Sequence, residues 1–315
     1  MKKISIFLVL IFLLGAGCFF YVEHNKETVS QLINKIGAQQ AGLSHHTITI
    51  NKHKIAYLEN DLKDTKPTLL LVHGFGAFKE NWILMILELR DDFHIISVDL
   101  PGHGESDFFA DSNYDIDQQV TMLHEFANQV IGRPFYMVGN SMGGAITALY
   151  AATYPREITS AVLLNPGHIT DIKSPMDLLR EQGINLLIVE NTEQFDKLVQ
   201  FAMEQPPFLP WPLKDISIYK MAERKHKNEK VWIDISKNQN YNFKEEIKNI
   251  AAPTLIAWGK EDRTLNYKNA YIFDQLIPNS KIQIFEKIGH APMIEAPEET
   301  AKAILDFFNS NASAR

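Results

Sequence analysis

Six short apolar runs punctuate the chain: Thr68–Val72, Phe93–Val98, Phe135–Val138, Ala161–Leu164, Pro253–Trp258 and Lys281–Phe285. Each is too short for a buried helix, is rich in branched or aromatic residues, and predicts a strand. Thr68–Val72 is nearly all apolar, as a strand covered on both faces should be. Small, helix-compatible residues, Gly144 to Tyr150, follow the Phe135–Val138 run, so a buried strand turns sharply into a helix there. The stretch between Leu164 and Pro253 is far longer than one helix needs. Helical patterns near 176–189 and 193–204 lead into Gln205-Pro206-Pro207-Phe208-Leu209-Pro210-Trp211-Pro212, whose prolines exclude a helix interior. Residues 166–244 therefore predict a cap over the carboxyl ends of the strands. A core from 47–165 and 245–315 surrounds it.

The N-terminus follows another pattern. Lys2 and Lys3 precede an apolar run from Ile4 to Val22, close to the ~20 residues that cross a hydrocarbon core as a helix. Residues 1–22 predict a membrane anchor or signal segment, and lysines held inside would leave the rest of the chain on the non-cytoplasmic side. Three fates stay open: an uncleaved anchor, a lipoprotein signal with Leu14-Gly15-Ala16-Gly17-Cys18 as a lipobox-like stretch, or a cleaved secretory signal. Residues 23–46 read as a linker in which Val29, Leu32, Ile33 and Ile36 recur at helical spacing. They suit packing on the body or lying along a lipid surface.

Composition narrows the partners. The 315 residues carry a formal net charge of −7 and no basic run, which argues against nucleic acid. Cys18 is the single cysteine, so no internal disulfide and no cysteine-based metal site can form. Neither a metal nor a cofactor is called for. The oligomeric state stays open.

The candidate chemistry sits at the strand ends. Gly139-Asn140-Ser141-Met142-Gly143 places a serine at the strand-to-helix turn, where flanking side chains would not fit. The Met142 N–H then stands at a helix N-terminus, half of an oxyanion hole. A serine needs a histidine base, and the base needs a carboxylate; the expected chain order is Ser, acid, His. Asp262, in the loop after Pro253–Trp258, and His290, in the loop after Lys281–Phe285, supply that order. Glu261 competes with Asp262 from the same turn. Asn165, after Ala161–Leu164, stands where a second acid could stand but cannot balance an imidazolium. His73, His103 and His168 also lie near strand ends and are read as structural loop residues. His73-Gly74-Phe75-Gly76 predicts the second oxyanion donor, the Phe75 N–H. Asp99-Leu100-Pro101-Gly102-His103-Gly104 reads as a structural turn at the rim.

With these residues placed, residues 47–310 resemble an α/β-hydrolase, through His73–Gly76, Asp99–Gly104, Gly139–Gly144, Trp258–Asp262 and Gly289-His290. The Asn-Ser-Met-Gly-Gly elbow and the apolar N-terminus resemble membrane-anchored monoacylglycerol-lipase-like enzymes and related bacterial lipases. The resemblance implies an α/β fold with a mostly parallel central sheet, helices on both faces and a helical cap inserted after the sixth strand. It also implies hydrolysis of carboxylic esters of lipid-like alcohols without a cofactor. Dehalogenases and epoxide hydrolases of this fold carry Asp at the nucleophile position, which the serine argues against. Two other readings remain: cleavage of an amide, thioester or C–C bond by the same fold, or an inactive membrane-tethered lipid-binding protein. For the cap, Phe208, Leu209 and Trp211 are expected to line an acyl channel or dip into lipid, against the plainer reading that they fill the cap's own core.

Overall fold

The computed structural model describes residues 17, 19–237 and 242–312. Most of the apolar N-terminal run lies outside them. Among the described residues no helix is long and apolar enough to cross a membrane.

Eight strands form one sheet: β1 (Ser44–Ile50), β2 (His53–Glu59), β3 (Thr68–Val72), β4 (His94–Val98), β5 (Phe135–Asn140), β6 (Ile158–Leu164), β7 (Thr254–Gly259) and β8 (Ser280–Phe285). Their order is β1-β2-β4-β3-β5-β6-β7-β8. β1 and β2 form an antiparallel hairpin, β2 pairs antiparallel with β4, and every pairing from β4 to β8 is parallel. The α/β-hydrolase architecture expected from the resemblance is thus present, with the long insertion after the sixth strand. β3, β4 and β7 are buried throughout, which explains their mostly apolar composition. β8, at the edge, is only partly buried.

Helices cover both faces. On one, helices Ile116–Val130 and Met142–Thr153 bury Phe126 and Tyr150 in a cluster with Trp258 and Phe273. On the other, Ile83–Leu89 and Pro297–Ala312 enclose Trp82, Phe93 and Phe308. Full burial of each such side chain stabilises by roughly 1.5–3 kcal/mol. Parallel pairing sets the ends of β3, β5, β6, β7 and β8 at one edge of the sheet, so His73, Ser141, Asn165, Asp262 and His290 emerge on the same side.

The insertion carries helices Pro175–Glu181, Thr192–Ala202, Leu213–Glu223 and Lys225–Lys237. The first is shorter than its pattern suggests. Gly183 adopts φ 80°, its N–H bonds to the Arg180 carbonyl, and the Ile184 N–H reaches back to Leu179. This paired closure ends a helix whatever apolar residues follow. Ahead of the sheet, helix Lys26–Gln40 packs through Ser30, Gly37 and Ala38, leaving Leu32 and Ile36 exposed.

Candidate active site

The serine sits at a strained turn. Ser141 has φ 57° and ψ −117°, between the end of β5 and the first residue of helix Met142–Thr153. Such a conformation costs ~1–3 kcal/mol and persists only where the surroundings impose it. The flanking glycines are what permit it. A Cβ on Gly139 would stand 2.1 Å from the Gly143 carbonyl oxygen, and one on Gly143 would stand 2.2 Å from that of Val72. The Ser141 N–H bonds to the Leu164 carbonyl at 2.9 Å, and the Ser141 carbonyl accepts from Ala145 and Gly167. The backbone is therefore fixed on both sides while the side chain faces a cavity of about 520 Å³, shared with Phe75, Met142, Thr264 and Leu265.

The acid is bound from all directions. Asp262 Oδ2 accepts from His290 Nδ1 at 2.8 Å, Asn165 Nδ2 at 2.7 Å and Trp258 Nε1 at 3.0 Å. Oδ1 accepts the backbone N–H groups of Thr264 at 2.8 Å and Leu265 at 3.0 Å. The side chain is fully buried, and these donors fix its position. Because a carboxylate only accepts, His290 donates through Nδ1, which leaves Nε2 as the nitrogen that can take a proton. Glu261 turns the other way and accepts from the Ile288 N–H at 3.1 Å. Among the described residues no direct hydrogen bond joins Ser141 to His290. The chain links the two through Asn140, whose Nδ2 donates to the His290 carbonyl at 3.1 Å and to that of Leu164 at 3.3 Å.

The oxyanion donors have an orientation that can be argued from one side chain. His73 Nε2 accepts from the Leu100 N–H at 3.0 Å, so its Nδ1 carries the proton and donates to the Gly74 carbonyl at 2.7 Å. That carbonyl belongs to the same planar peptide as the Phe75 N–H. Holding the oxygen toward His73 points the Phe75 N–H the opposite way. Gly74 lies over the elbow, where a Cβ would come within 3.1 Å of Ser141 Cβ. Neither the Phe75 nor the Met142 N–H bonds to another described residue. Burial pushes the His73 ring down to about 4, so it stays neutral. His103, also buried, is pushed well down by the same cause. The Asp99 carboxylate takes the backbone and side-chain N–H groups of buried Lys79 and the Glu105 N–H, a structural knot at the rim.

Two further side chains hold this site, and sequence pattern gives neither of them a role. Asn165 holds Asp262 and also bonds the Gly289 carbonyl at 3.1 Å. Glu295 accepts the N–H groups on both sides of His290: Gly289 at 2.9 Å through Oε2 and Ala291 at 3.0 Å through Oε1. Glu295 Oε2 also takes the N–H groups of Glu204 and Gln205, where the proline-rich segment begins. The His290 N–H itself bonds to the Ala202 carbonyl at 2.8 Å. Only the position of Glu295 shortly after the histidine could have pointed to it.

Phe208, Leu209 and Trp211 are not among the residues lining the cavity at Ser141. The acyl-channel expectation for them therefore finds no support in this cavity. Phe208 is 88% exposed, so it does not fill the cap's interior either. Trp211 stacks on Phe19 at 5.8 Å. His168 does line the cavity, and packs on Phe243. Among the described residues no three His, Cys, Asp or Glu side chains come together to hold a metal ion.

Comparison with known proteins agrees with the fold. A family model described as the alpha/beta hydrolase fold matches residues 67–297. The chain is 33% identical to Lipase 1 of Psychrobacter immobilis, over 79% of this chain and 78% of that one. It is 31% identical to human monoacylglycerol lipase ABHD6, over 78% and 76%. Among solved structures, a membrane phospholipase A described as a bacterial virulence factor superposes with a TM-score of 0.88 at 34% identity, covering 99% of both chains. With the sheet order, the serine turn and these matches in agreement, the chain belongs to the α/β-hydrolase family.

Proposed function

We propose that Ser141, His290 and Asp262 hydrolyse carboxylic esters of lipid-like alcohols through an acyl-enzyme. The lipase relatives support ester hydrolysis as the activity of this chain. In the proposed reaction His290 Nε2 takes the Ser141 proton as Oγ bonds to the ester carbonyl carbon. The carbonyl oxygen gains negative charge and is held by the Phe75 and Met142 N–H groups. The tetrahedral species collapses, the C–O bond to the alcohol breaks, and His290 returns the proton to that oxygen. Water repeats the sequence and frees the acid. Asp262 stabilises the imidazolium and holds the tautomer. The Ser141–His290 contact closes when substrate is bound, as hydrogen bonds that are long in a free enzyme tighten in the complex.

The observation that carries this reading is the five-donor Asp262 site, with Oδ2 on His290 Nδ1. A fluorophosphonate probe should label Ser141, and Ser141→Ala should lose both labelling and turnover while remaining folded. A folded Ser141→Ala enzyme that keeps most of its esterase rate refutes the assignment. Labelling also separates this reading from an inactive lipid-binding protein.

The same proposal extends to a membrane surface. Phe19, Phe20, Tyr21, Phe208 and Trp211 are all exposed, and Phe19 joins Trp211 directly. Phe19, Phe20 and Tyr21 belong to the apolar N-terminal run, and exposed aromatics of this kind settle at the headgroup level of a bilayer. With Lys2 and Lys3 inside, the hydrolase would work on the non-cytoplasmic side. Phe208→Ser with Trp211→Ser should weaken binding to lipid vesicles and leave hydrolysis of a short soluble ester unchanged.

A further inference from the structure

The cavity at Ser141 is lined by apolar side chains, among them Ile116, Met142, Ala145, Leu187, Ile235 and Leu265. Among the described residues, Asp177 and Arg180, from helix Pro175–Glu181, are the only Asp, Glu, Lys or Arg in that lining. An acyl chain explains the apolar wall and gives no reason for a guanidinium.

Arg180 is incompletely partnered. Its Nη1 reaches Asp177 Oδ1 at 3.3 Å, a long contact for a charged pair. The other oxygen, Asp177 Oδ2, is engaged by the Ser174 N–H and hydroxyl, both at 2.8 Å. Arg180 Nε is buried and has no hydrogen-bond partner among the described residues. An unpaired buried donor is costly, and this one belongs to a side chain of the cavity wall. The guanidinium also lies 4.5 Å from the centroid of the Trp232 ring, whose centroid is 5.3 Å from that of Phe75. Trp232 thus connects the guanidinium to the ring of Phe75, the residue whose N–H is the proposed oxyanion donor.

We infer that Arg180 anchors an acidic group on the substrate, so that the preferred ester carries an anion a few bonds from its scissile carbonyl. This rests on the ester-hydrolase reading above. A guanidinium offers a planar fork of donors matched to phosphate and carboxylate oxygens. A glycerophosphate ester has that anion on its alcohol side, and an ester of a hydroxy acid has it as a carboxylate.

Binding to Ser141→Ala tests the inference without turnover. The probes are an alkyl glycerol ether, the same ether carrying a phosphate, and the same chain ether-linked to a short hydroxy acid. Calorimetry should show at least one anionic probe binding more tightly than the neutral ether. Adding Arg180→Met should weaken that probe by roughly 10- to 100-fold, the range for a charge-assisted hydrogen bond. The neutral ether should change little. Dependence confined to the phosphate or to the carboxylate identifies the anion. Equal weakening of all three probes, or none, overturns the inference and leaves Arg180 a packing partner of Trp232. Arg180→Lys is the second variant, should Arg180→Met fail to fold. It keeps the charge without the fork, and its smaller loss should again fall on the anionic probe alone. In the active enzyme, Arg180→Met should keep fluorophosphonate labelling at Ser141. Loss of labelling in the unsubstituted enzyme would instead count against the nucleophile assignment.

Discussion

Asp262→Asn replaces one oxygen by an NH₂ group and otherwise keeps the shape, so the outcome follows from counting donors. Five donors converge on the carboxylate, three on Oδ2 and two on Oδ1. With the NH₂ at the Oδ1 position, it faces the Thr264 and Leu265 N–H groups, which are backbone and cannot turn away. With the NH₂ at the Oδ2 position, it faces Asn165 and Trp258, whose side chains can adjust, and it donates to His290 Nδ1. The second orientation is therefore favoured. It moves the ring proton to Nε2 and removes the lone pair the serine needs. The expected loss in kcat is about 10⁴-fold. Two buried donors are left facing a donor, at ~1–3 kcal/mol each, so stability should fall by ~2–6 kcal/mol. Initial rates on a p-nitrophenyl ester, with urea unfolding of the same sample, read both numbers. A folded Asp262→Asn enzyme within tenfold of the original kcat would refute the tautomer argument and the role given to Asp262.

Further outcomes follow from neighbouring contacts. His73→Phe removes the donor that orients the Gly74–Phe75 peptide, so kcat should fall ~10²-fold, the size of one oxyanion donor, with KM nearly constant; equal kcat would remove His73 from the site. The pH dependence of stability has a definite sign. The folded His73 titrates at about 4, below its ordinary value of 6.5. Its contribution is complete above 6.5 and is lost as pH falls through 4, with a limit of about 3 kcal/mol. Urea midpoints at pH 7 and pH 4.5 should converge more closely in His73→Phe than in the parent; an unchanged difference contradicts this. Glu295→Ala strips a shared acceptor from four backbone N–H groups, at Gly289, Ala291, Glu204 and Gln205. It should lower both melting temperature and kcat, with Glu295→Gln intermediate, and an unaltered kcat would show that His290 holds its place without it.

The apolar runs and the glycine-flanked serine are local patterns, and the sequence by itself determined the parallel strands, the sharp turn at Ser141 and the loops that carry Asp262 and His290. Periodicity reads burial within one element, and a strand buried on both faces announces itself in five residues. Which side chains meet across loops is a different kind of information. Glu261 and Asp262 are adjacent in the chain, and only the packing of the β7 and β8 loops turned one toward Ile288 and the other toward His290. Asn165 looked like a position without an acid, yet the sheet order sets it against Asp262, 97 residues away. The first insertion helix stops at Gly183 because of a backbone closure that the continuing apolar pattern masks. Phe208, Leu209 and Trp211 looked alike as apolar residues between prolines. Tertiary structure decided that they do not line the cavity and that Arg180 does, because the direction a loop faces depends on what it packs against, which no local spacing encodes.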